Sequence, residues 1–302
     1  MIKQRAQLQL GASMYVPATQ HIDRLVSIAN GEKFPQLRSV IFCTEDAVRG
    51  EELHTALRNL KHALPRFAVN NRLLRFIRVR NPDVMARCIA TPGIENIDGF
   101  VMPKITRSNI GAYLSLLTDK DDFCLMPTIE TREVFESGEM LRLRRVLLND
   151  SRAVGRILCL RIGGNDLMSC LGLRRSFEHT IYETALGPFI ARLAGEFLPY
   201  DIGLSAPVFE ITCPQARPVL ERELELDLLH GLFGKTAIHP SQIDVIEASY
   251  KVRREDFEEA LKIVEPDAPA VFKLGRRMCE PTTHMSWAQL IIARAEIYGI
   301  RS

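Results

Sequence analysis

Short apolar runs alternate with segments of helical periodicity along this 302-residue chain. Two of the runs show the pattern best. Cys124–Glu130 and Gly155–Leu167 are of strand length and end at an acidic side chain, Glu130 in the first and Asp166 in the second. Apolar runs that are bounded by turn residues and separated by helical segments are typical of buried parallel strands. The alternation therefore predicts an α/β protein built on a parallel sheet.

Eight such runs favour a closed TIM (β/α)8 barrel over an open doubly wound sheet, because no G-x-G-x-x-G follows the first strand. The predicted strands are Ala12–Val16, Arg38–Cys43, Leu74–Val79, Gly99–Met102, Cys124–Glu130, Gly155–Leu167, Ile202–Phe209 and Gly231–Ile238. The predicted helices are His21–Ala29, Glu51–Leu64, Ser108–Leu117, Glu133–Leu148, Ile181–Phe197, Arg217–His230, Ser241–Val264 and Ser286–Tyr298. Length alone would allow two domains, but no stretch resembles a linker. We predict a barrel over 1–264 and a C-terminal helical extension over 265–302.

Charged side chains collect at the predicted carboxyl ends of the strands, the face that carries the site in parallel α/β proteins. They are Glu45, Asp46, Arg78, Lys104, Glu130, Asp166, Lys235 and His239. Two carboxylates on one face repel each other unless a cation lies between them. We therefore interpret Glu130 and Asp166 as oxygen ligands for Mg²⁺ or a similar ion. The alternative is that they are two unrelated strand-end acids.

The other residues at this face leave alternatives open. Arg78 lies in an apolar strand, where an unpaired guanidinium would be costly. It is either a bidentate clamp on a substrate carboxylate or a structural ion pair with Glu45 or Asp46. Lys235 and His239 either anchor a phosphate or cap the last strand. Gly163 and Gly164 would let the backbone approach a ligand closely, while Cys43 and Cys124 are expected in the core rather than as nucleophiles.

Composition narrows the class of protein. The chain is 46% hydrophobic and 25% charged, and its 39 basic and 37 acidic residues leave a formal charge of +2. This balance argues against nucleic acid or an anionic membrane as partner. The seven cysteines show no C-x-x-C and no metal-site spacing, which favours free thiols in a reducing compartment. The opening MIKQRAQLQL lacks a signal-peptide core, and no apolar run has the length of a membrane span, so we expect a cytoplasmic protein.

Seven short motifs in the same order resemble those of the HpcH/HpaI aldolase and citrate lyase beta-subunit family. They are Met14–Pro17 (MYVP), Thr44–Val48 (TEDAV), Ile77–Pro82 (IRVRNP), Gly99–Lys104 (GFVMPK), Ile129–Thr131 (IET), Gly163–Gly172 (GGNDLMSCLG) and Gly234–Gln242 (GKTAIHPSQ). The chain resembles the citrate lyase beta-subunit branch, because Glu45-Asp46-Ala47-Val48 stands where the pyruvate-type aldolases carry E-H-A-P. A weaker resemblance is to the barrel lyase-like proteins associated with tellurite-resistance gene clusters.

The resemblance implies a TIM barrel that binds Mg²⁺ (or Mn²⁺) through Glu130 and Asp166, with Arg78 gripping substrate oxygens. It implies carbon–carbon bond cleavage or formation next to a carbonyl, on acyl-CoA or 2-keto acid substrates, where a metal and an arginine stabilise an enolate. It also implies a trimer or hexamer in which a C-terminal segment packs on a neighbour. Taking the strand-end residues and the resemblance together, we assign substrate or cofactor binding to Arg78, Lys104, Gly163, Gly164, Asn165, Lys235 and His239. We expect Glu45 or Asp46 to carry a proton or to contact a metal-bound water, and Glu280, in GRRMCE, to reach a neighbouring subunit's site.

Several positions depart from the family pattern. Cys43 stands where Asp is usual, Arg80 where Asn is usual, and Ser205–Glu210 keeps little of D-G-P-F-x-D. Arg161 adds a cation near the expected metal ligands. These departures indicate a divergent subfamily with an altered, more anionic substrate, and they weigh against the use of CoA.

The leading hypothesis is thus a Mg²⁺-dependent carbon–carbon lyase, or the reverse condensation, acting on a small carboxylated or acyl-CoA-type substrate. The substituted motif positions leave a second hypothesis, a non-catalytic barrel that binds a metabolite or serves as a subunit of a larger complex. A third hypothesis keeps the enzyme but makes it a hydrolase that cleaves an acyl thioester with a metal-activated water.

Overall fold

A computed structural model describes residues 6–69 and 72–301, and these residues form a TIM barrel. Eight parallel strands pair in the order β7-β6-β5-β4-β3-β2-β1-β8. The ring closes where Phe233 donates its backbone N–H to Leu204 over 2.9 Å and Ala206 pairs with Lys235. The predicted fold class is therefore confirmed, including helices that follow the barrel at the C-terminus.

The elements have the following bounds, numbered in chain order. The barrel strands are β1 Ala12–Pro17, β2 Ser39–Cys43, β3 Leu74–Arg78, β4 Gly99–Met102, β5 Cys124–Ile129, β6 Leu160–Ile162, β7 Leu204–Ser205 and β8 Lys235–Ala237. The helices are α1 Ile22–Ala29, α2 Leu53–Ala63, α3 Pro82–Ile89, α4 Ile110–Leu114, α5 Glu139–Asn149, α6 Gly164–Cys170, α7 Gly187–Phe197, α8 Arg217–Leu229, α9 Ile243–Ser249, α10 Arg254–Ile263 and α11 Pro281–Tyr298. The short outer strands are β9 Val252–Arg253, β10 Phe272–Leu274, β11 Arg277–Cys279 and β12 Ile300–Arg301.

Alternation along the strands sorts side chains between the barrel interior and the helical layer. On β2, Ile41 belongs to an interior apolar cluster, whereas Val40 and Phe42 belong to the cluster beneath the helices. On β5, Met126 lies in the same interior cluster. The following inward positions are Thr128 and then Glu130. The interior is thus apolar at depth and turns polar toward the carboxyl ends of the strands.

The predicted long helix Ser241–Val264 is wrong. The chain instead forms α9, turns after the fully buried Tyr250, and restarts as α10. The Tyr250 ring packs 4.2 Å from Phe233 and 5.3 Å from Tyr298, centroid to centroid. Burying this ring and pairing β9 with β12 redirect the backbone, which helical periodicity alone does not reveal.

Other helix boundaries also differ from the predictions. Helix α7 begins at Gly187 rather than Ile181, with Pro188 in its first turn, and α11 begins at Pro281 rather than Ser286. Helix α3 was not predicted, although Asn81 caps it by accepting the Val84 N–H over 2.9 Å. Both the Asn N-cap and Pro at the first helical position are signals of a helix start.

The C-terminal residues pack both on each other and on the barrel. Helix α11 shares an apolar cluster with α10, so this cluster crosses the predicted boundary at residue 264, and the division into 1–264 and 265–302 stays a prediction. Tyr298 Oη donates to the Leu8 carbonyl, and Arg38 Nη2 donates to the Ile297 carbonyl over 2.8 Å. Within the described ranges, no helix combines the length and apolar character needed to cross a bilayer.

Candidate active site

A pocket of about 240 Å³ opens at the carboxyl ends of the strands. It is lined by Tyr15, Cys43, Asp46, Ala47, Arg78, Thr128, Glu130, Arg161, Ile162, Gly163, Gly164, Asn165, Asp166, Val208, Thr236 and Ile238. Its volume is below the range for drug-sized ligands, so it fits a small metabolite. The face on which the sequence placed the site is the face that carries this pocket.

Arg78 lies at the end of β3 and contacts three carboxylates. Its Nη2 lies 2.7 Å from Glu45 Oε2, 2.9 Å from Asp46 Oδ2 and 3.1 Å from Glu130 Oε1. The ion pairs that the sequence offered as one alternative for Arg78 are therefore present. Its Nε is buried and has no hydrogen-bond partner among the described residues, which leaves a donor for a ligand. The role of Arg78 as a substrate clamp stays a prediction.

Lys104 joins the acids of the pocket from the loop after β4. Its backbone N–H donates to Glu130 Oε1 over 2.9 Å, and its Nζ lies 3.4 Å from Glu45 Oε1 and 4.0 Å from Asp166 Oδ1. The residue has a φ of 51°, in the left-handed region that a side chain with a Cβ rarely adopts. Such strain is concentrated at functional sites, where the surrounding contacts hold it.

These residues form the mouth cluster, which holds more carboxylates than cations. Its members are Glu45, Asp46, Arg78, Lys104, Glu130 and Asp166. Burial, with a contribution from the Asp166 charge, raises the pKa of Glu130 to about 7. Burial likewise raises the pKa of Asp166, and the Asp46 charge adds to the effect. Carboxylates crowded together in this way are short of positive charge.

The mouth cluster fits a divalent cation. Among the described residues, no group of three or more His, Cys, Asp or Glu side chains is arranged as a complete metal cage. Mg²⁺ does not require one, because it is usually held by one or two carboxylates and completes its shell with water and substrate. Glu130 and Asp166 supply two carboxylates, and the Asp166 side chain is 37% exposed, which leaves room for water and substrate.

Two predicted glycines make close approaches, but to protein atoms. A Cβ on Gly163 would lie 2.3 Å from Glu130 Cβ, and a Cβ on Gly164 would lie 2.8 Å from Pro207 Cβ. Both glycines also line the pocket. Gly163 therefore makes space for the Glu130 side chain, and a ligand-binding role for either glycine stays a prediction.

The loop after β2 is held in place by Arg80. Its Nη2 donates to the carbonyls of Val48 and Glu45, and its Nε donates to that of Thr44. Burial, with a contribution from Asp46, raises the pKa of Glu45 despite the neighbouring Arg78. A departure from the family motif thus fixes the loop that carries two acids of the mouth cluster.

Lys235 does not reach the pocket, so the predicted substrate contact is corrected. It lies on the outer side of β8, fully buried, with its Nζ 2.9 Å from Glu223 Oε1 and 2.7 Å from Asp227 Oδ2. Lys235 pairs with Ala12 of β1, whereas its neighbour Thr236 is the residue that lines the pocket. Alternation along the strand sends the two side chains to opposite faces.

Three other predicted site residues lie in different surroundings. Asn165 lines the pocket and donates to Glu210 Oε2 over 2.9 Å. His239 is exposed and caps the turn Pro240–Gln242, and it is not among the residues that line this pocket. Glu280 precedes α11, and its role at a neighbouring subunit's site stays a prediction, as does the trimer or hexamer.

Of the two cysteines that were expected in the core, Cys43 is buried and Cys124 is half-buried. Cys43 lines the pocket, but burial raises the pKa of its thiol, which disfavours the thiolate. Burial also raises the pKa of Cys124, which lies at the start of β5 and lines a cavity at the opposite end of the barrel. Neither therefore has the surroundings of a nucleophile.

Sequence reasoning missed three polar residues of the pocket. Tyr15, Thr128 and Thr236 all line it. Tyr15 lies in the first motif, MYVP, and Thr128 stands two residues before Glu130 on the same strand. Counting back in steps of two from a strand-end acid would have identified Thr128, because alternate residues share a face.

Comparison with known proteins supplies the family. Residues 4–300 match a family described as carbon–carbon bond lyases of the TIM-barrel fold. A comparison with curated proteins gave no match. Several solved structures share the fold, at identities below 20%.

Three of these structures show how similar they are in sequence and in fold. The protein CitE from Mycobacterium tuberculosis, in complex with magnesium, acetoacetate and coenzyme A, is 17% identical over 95% of this chain and 98% of its own, with a TM-score of 0.66. A citrate lyase from Burkholderia xenovorans is 13% identical over 97% and 93% of the two chains, with a TM-score of 0.73. A malate synthase from Haloferax volcanii, in a lead(II) complex, is 12% identical over 93% and 80%, with a TM-score of 0.65.

The match extends over nearly the whole chain, and the similar structures are of the kind that the ordered motifs predicted. The family prediction is therefore confirmed. This chain belongs to the family of carbon–carbon bond lyases with the TIM-barrel fold.

Proposed function

We propose that this protein is a divalent-metal-dependent carbon–carbon lyase, or catalyses the reverse condensation, on a small carboxylated substrate. The observation that carries the proposal is the excess of carboxylates over cations in the mouth cluster. One of those cations, Arg78, also has an Nε donor without a partner among the described residues. A structural ion-pair cluster would be expected to balance its charges, since an unpaired buried charge is costly.

Glu130 and Asp166 would hold the metal. Their carboxylate oxygens are ligands that suit Mg²⁺ or Mn²⁺. A bound divalent cation supplies Lewis-acid polarisation of a carbonyl oxygen. The structures of similar proteins include complexes with magnesium, such as a citrate lyase beta subunit from M. tuberculosis with oxaloacetate and magnesium. Coenzyme A is present in another of those complexes.

Arg78 would orient the substrate and stabilise developing negative charge. Cleavage next to a carbonyl leaves an electron pair that the carbonyl oxygen receives as an enolate. A guanidinium fixed by three carboxylates is already oriented, so it loses little entropy when its free donor binds that oxygen. The raised pKa of Glu45 makes this carboxylate a stronger base than a free one, which suits it for moving a proton.

Calorimetric titration with Mn²⁺ and Mg²⁺ tests the metal centre. We expect binding to the wild type and at least about a tenfold loss in Glu130→Gln and in Asp166→Asn, because each variant removes one of two charged ligands. Asp122→Asn is the matched control, since Asp122 is exposed at the opposite end of the barrel. Equal affinity in all four proteins would overturn the metal site.

Product analysis tests the reaction. Incubation with 3-hydroxy and 2-keto acids, free and as thioesters, is expected to give two carbon fragments in equal amounts, or one joined product in the reverse direction. Release of only a thiol and an intact acid would instead show hydrolysis. The malate synthase among the similar structures is the reason to assay the condensation direction too.

A further inference from the structure

Arg161 is a buried cation without an anionic partner. It is 3% exposed and lines the pocket from β6. Its Nη2 donates to Thr236 Oγ1 over 2.6 Å, and its Nη1 lies 3.8 Å from Met126 Sδ. In residues 6–69 and 72–301, no carboxylate lies within ion-pair distance of this guanidinium. The Tyr15 ring centroid lies 5.7 Å from its Cζ. A hydroxyl, a thioether and a ring face compensate a buried charge less well than a carboxylate does.

The other buried arginines of the described residues show how this chain treats such a charge. Arg75 donates to three backbone carbonyls. Arg78 contacts three carboxylates, and Arg175 pairs with a buried glutamate. Arg161 has neither a set of backbone carbonyls nor a carboxylate as its partner. It lines the pocket of about 240 Å³, which is large enough for a small ligand.

A second polar group beside Arg161 is also left without a partner. Thr128 is 3% exposed, and its Oγ1 has no hydrogen-bond partner among the described residues. Thr128 and Arg161 are directly paired across β5 and β6, and both line the same pocket. A donor hydroxyl and a guanidinium at adjacent positions are the groups that bind a carboxylate.

The depth of this pair separates it from the metal-binding acids. Thr128 lies on β5 and precedes Glu130, the residue directly after this strand, by two positions, which corresponds to roughly 6–7 Å of extended chain. An extended chain of four carbons with a carboxylate oxygen at each end spans roughly 6 Å, which is close to this distance. One molecule could therefore have one end at the mouth cluster and the other at Arg161.

We propose that Arg161 and Thr128 form a second anion subsite, which binds the distal carboxylate of the substrate. The substrate class is then a small dianion with an acidic group at each end, rather than a monocarboxylate. This proposal rests on the proposed function for the end of the substrate that lies at Glu130 and Asp166, but the subsite itself is built from other residues.

Binding of succinate and of its monoamide, succinamate, tests the subsite. The two probes have the same length, and only succinate carries the second charge. Calorimetry with the wild type is expected to show about tenfold or stronger preference for succinate, as expected of a buried charge-assisted contact. The preference is expected to disappear in Arg161→Gln and to shrink in Arg161→Lys, which keeps the charge but loses the planar fork.

Thr236→Val is the matched control. It removes the partner of Arg161 without removing the guanidinium, so it is expected to keep the preference for succinate. If Arg161 only tethered β8 through Thr236, the two variants would behave alike, and that result would overturn the proposal. It would also be overturned if the wild type bound neither probe, if it bound both equally, or if Arg161→Gln kept the full preference.

Two further measurements keep the outcome unambiguous. The titrations are run with and without Mg²⁺, so a protein that fails to bind the metal still reports on the anion subsite. Mn²⁺ affinity of Arg161→Gln is expected to be at least that of the wild type, since Arg161 does not contact Glu130 or Asp166 and its removal takes away a neighbouring positive charge. Should Arg161→Gln not fold, an unchanged preference in Arg161→Lys would itself overturn the proposal.

Discussion

Two charged clusters of this barrel are built differently. The wall cluster consists of Arg175, Glu223, Asp227 and Lys235, between β8 and α8. It has two cations and two carboxylates, and these four side chains are at most 1% exposed. The mouth cluster has four carboxylates and two cations, and it is partly open to solvent. A balanced, closed cluster stabilises a fold, whereas an unbalanced, open one is available to a ligand.

The contacts within the wall cluster explain its structural role. Glu223 also accepts the Ile181 backbone N–H over 2.8 Å, and Tyr182 Oη donates to Asp227 over 2.6 Å. Arg175 donates to the Val208 carbonyl as well. The cluster thereby connects the loops after β6 and β7 to α8. In the mouth cluster, Arg78 Nε remains a donor without a partner among the described residues.

The largest effect on stability is expected for Lys235→Met. This change leaves the Asp227 and Glu223 carboxylates buried with less positive charge, which typically costs about 3–5 kcal/mol. Lys104→Met in the mouth cluster is the matched comparison, and because the Lys104 side chain is 48% exposed, its loss should cost less than about 1 kcal/mol. Urea denaturation measures both. Similar losses in the two variants would remove the distinction between the clusters.

Glu130→Gln is expected to stabilise the metal-free protein at pH 8 while weakening metal binding. The glutamine keeps an acceptor for Arg78 and Lys104 but removes a buried charge. The pKa of about 7 for Glu130, against an ordinary value of 4.5, corresponds to about 3 kcal/mol. Urea denaturation in the presence of a chelator measures the difference. A destabilised variant would show that the acid is there for the fold rather than for a ligand.

The same group gives the wild-type protein a pH dependence. Because its folded-state pKa is raised, the folded protein binds more protons than the unfolded chain between pH 4.5 and about 7. The contribution of Glu130 to stability therefore decreases as pH rises through this window and is constant above it. The stability of metal-free Glu130→Gln relative to wild type should increase between pH 5 and 8. A constant difference across this range would contradict the assignment.

The smallest effect concerns the backbone of Lys104. At a φ of 51°, Lys104→Gly should be more stable than Lys104→Ala by about 0.5–1 kcal/mol, because glycine adopts this conformation without strain. Both variants lose the same cation, so thermal unfolding of the pair isolates the backbone term. Equal stability would indicate that this conformation is not strained.

The sequence predicted the site residues that stand at the carboxyl ends of the strands. An acid directly after an apolar run, such as Glu130, lies at the carboxyl face in any parallel barrel, and ordered motifs located Arg78 and Asp166 in the same way. The short-range signals for α3, an Asn N-cap and a Pro in the first turn, are also present in Asn81-Pro82.

Other features could not be predicted from the sequence, because they depend on which face of a strand a side chain takes or on contacts between distant residues. Lys235 and Thr236 are adjacent in sequence, yet one pairs with α8 and the other lines the pocket. The strand β8 is only three residues long, so its apolar pattern does not define the inward face. The turn after Tyr250 depends on packing against Phe233 and Tyr298, which are distant in sequence.

The central claim is that the excess negative charge at the barrel mouth is completed by a divalent cation. Anomalous diffraction from crystals soaked in Mn²⁺ tests it most directly. The account predicts one strong peak between the carboxylates of Glu130 and Asp166, and its loss in Glu130→Gln. A peak at another acidic site, or none in crystals with an accessible pocket, would contradict it.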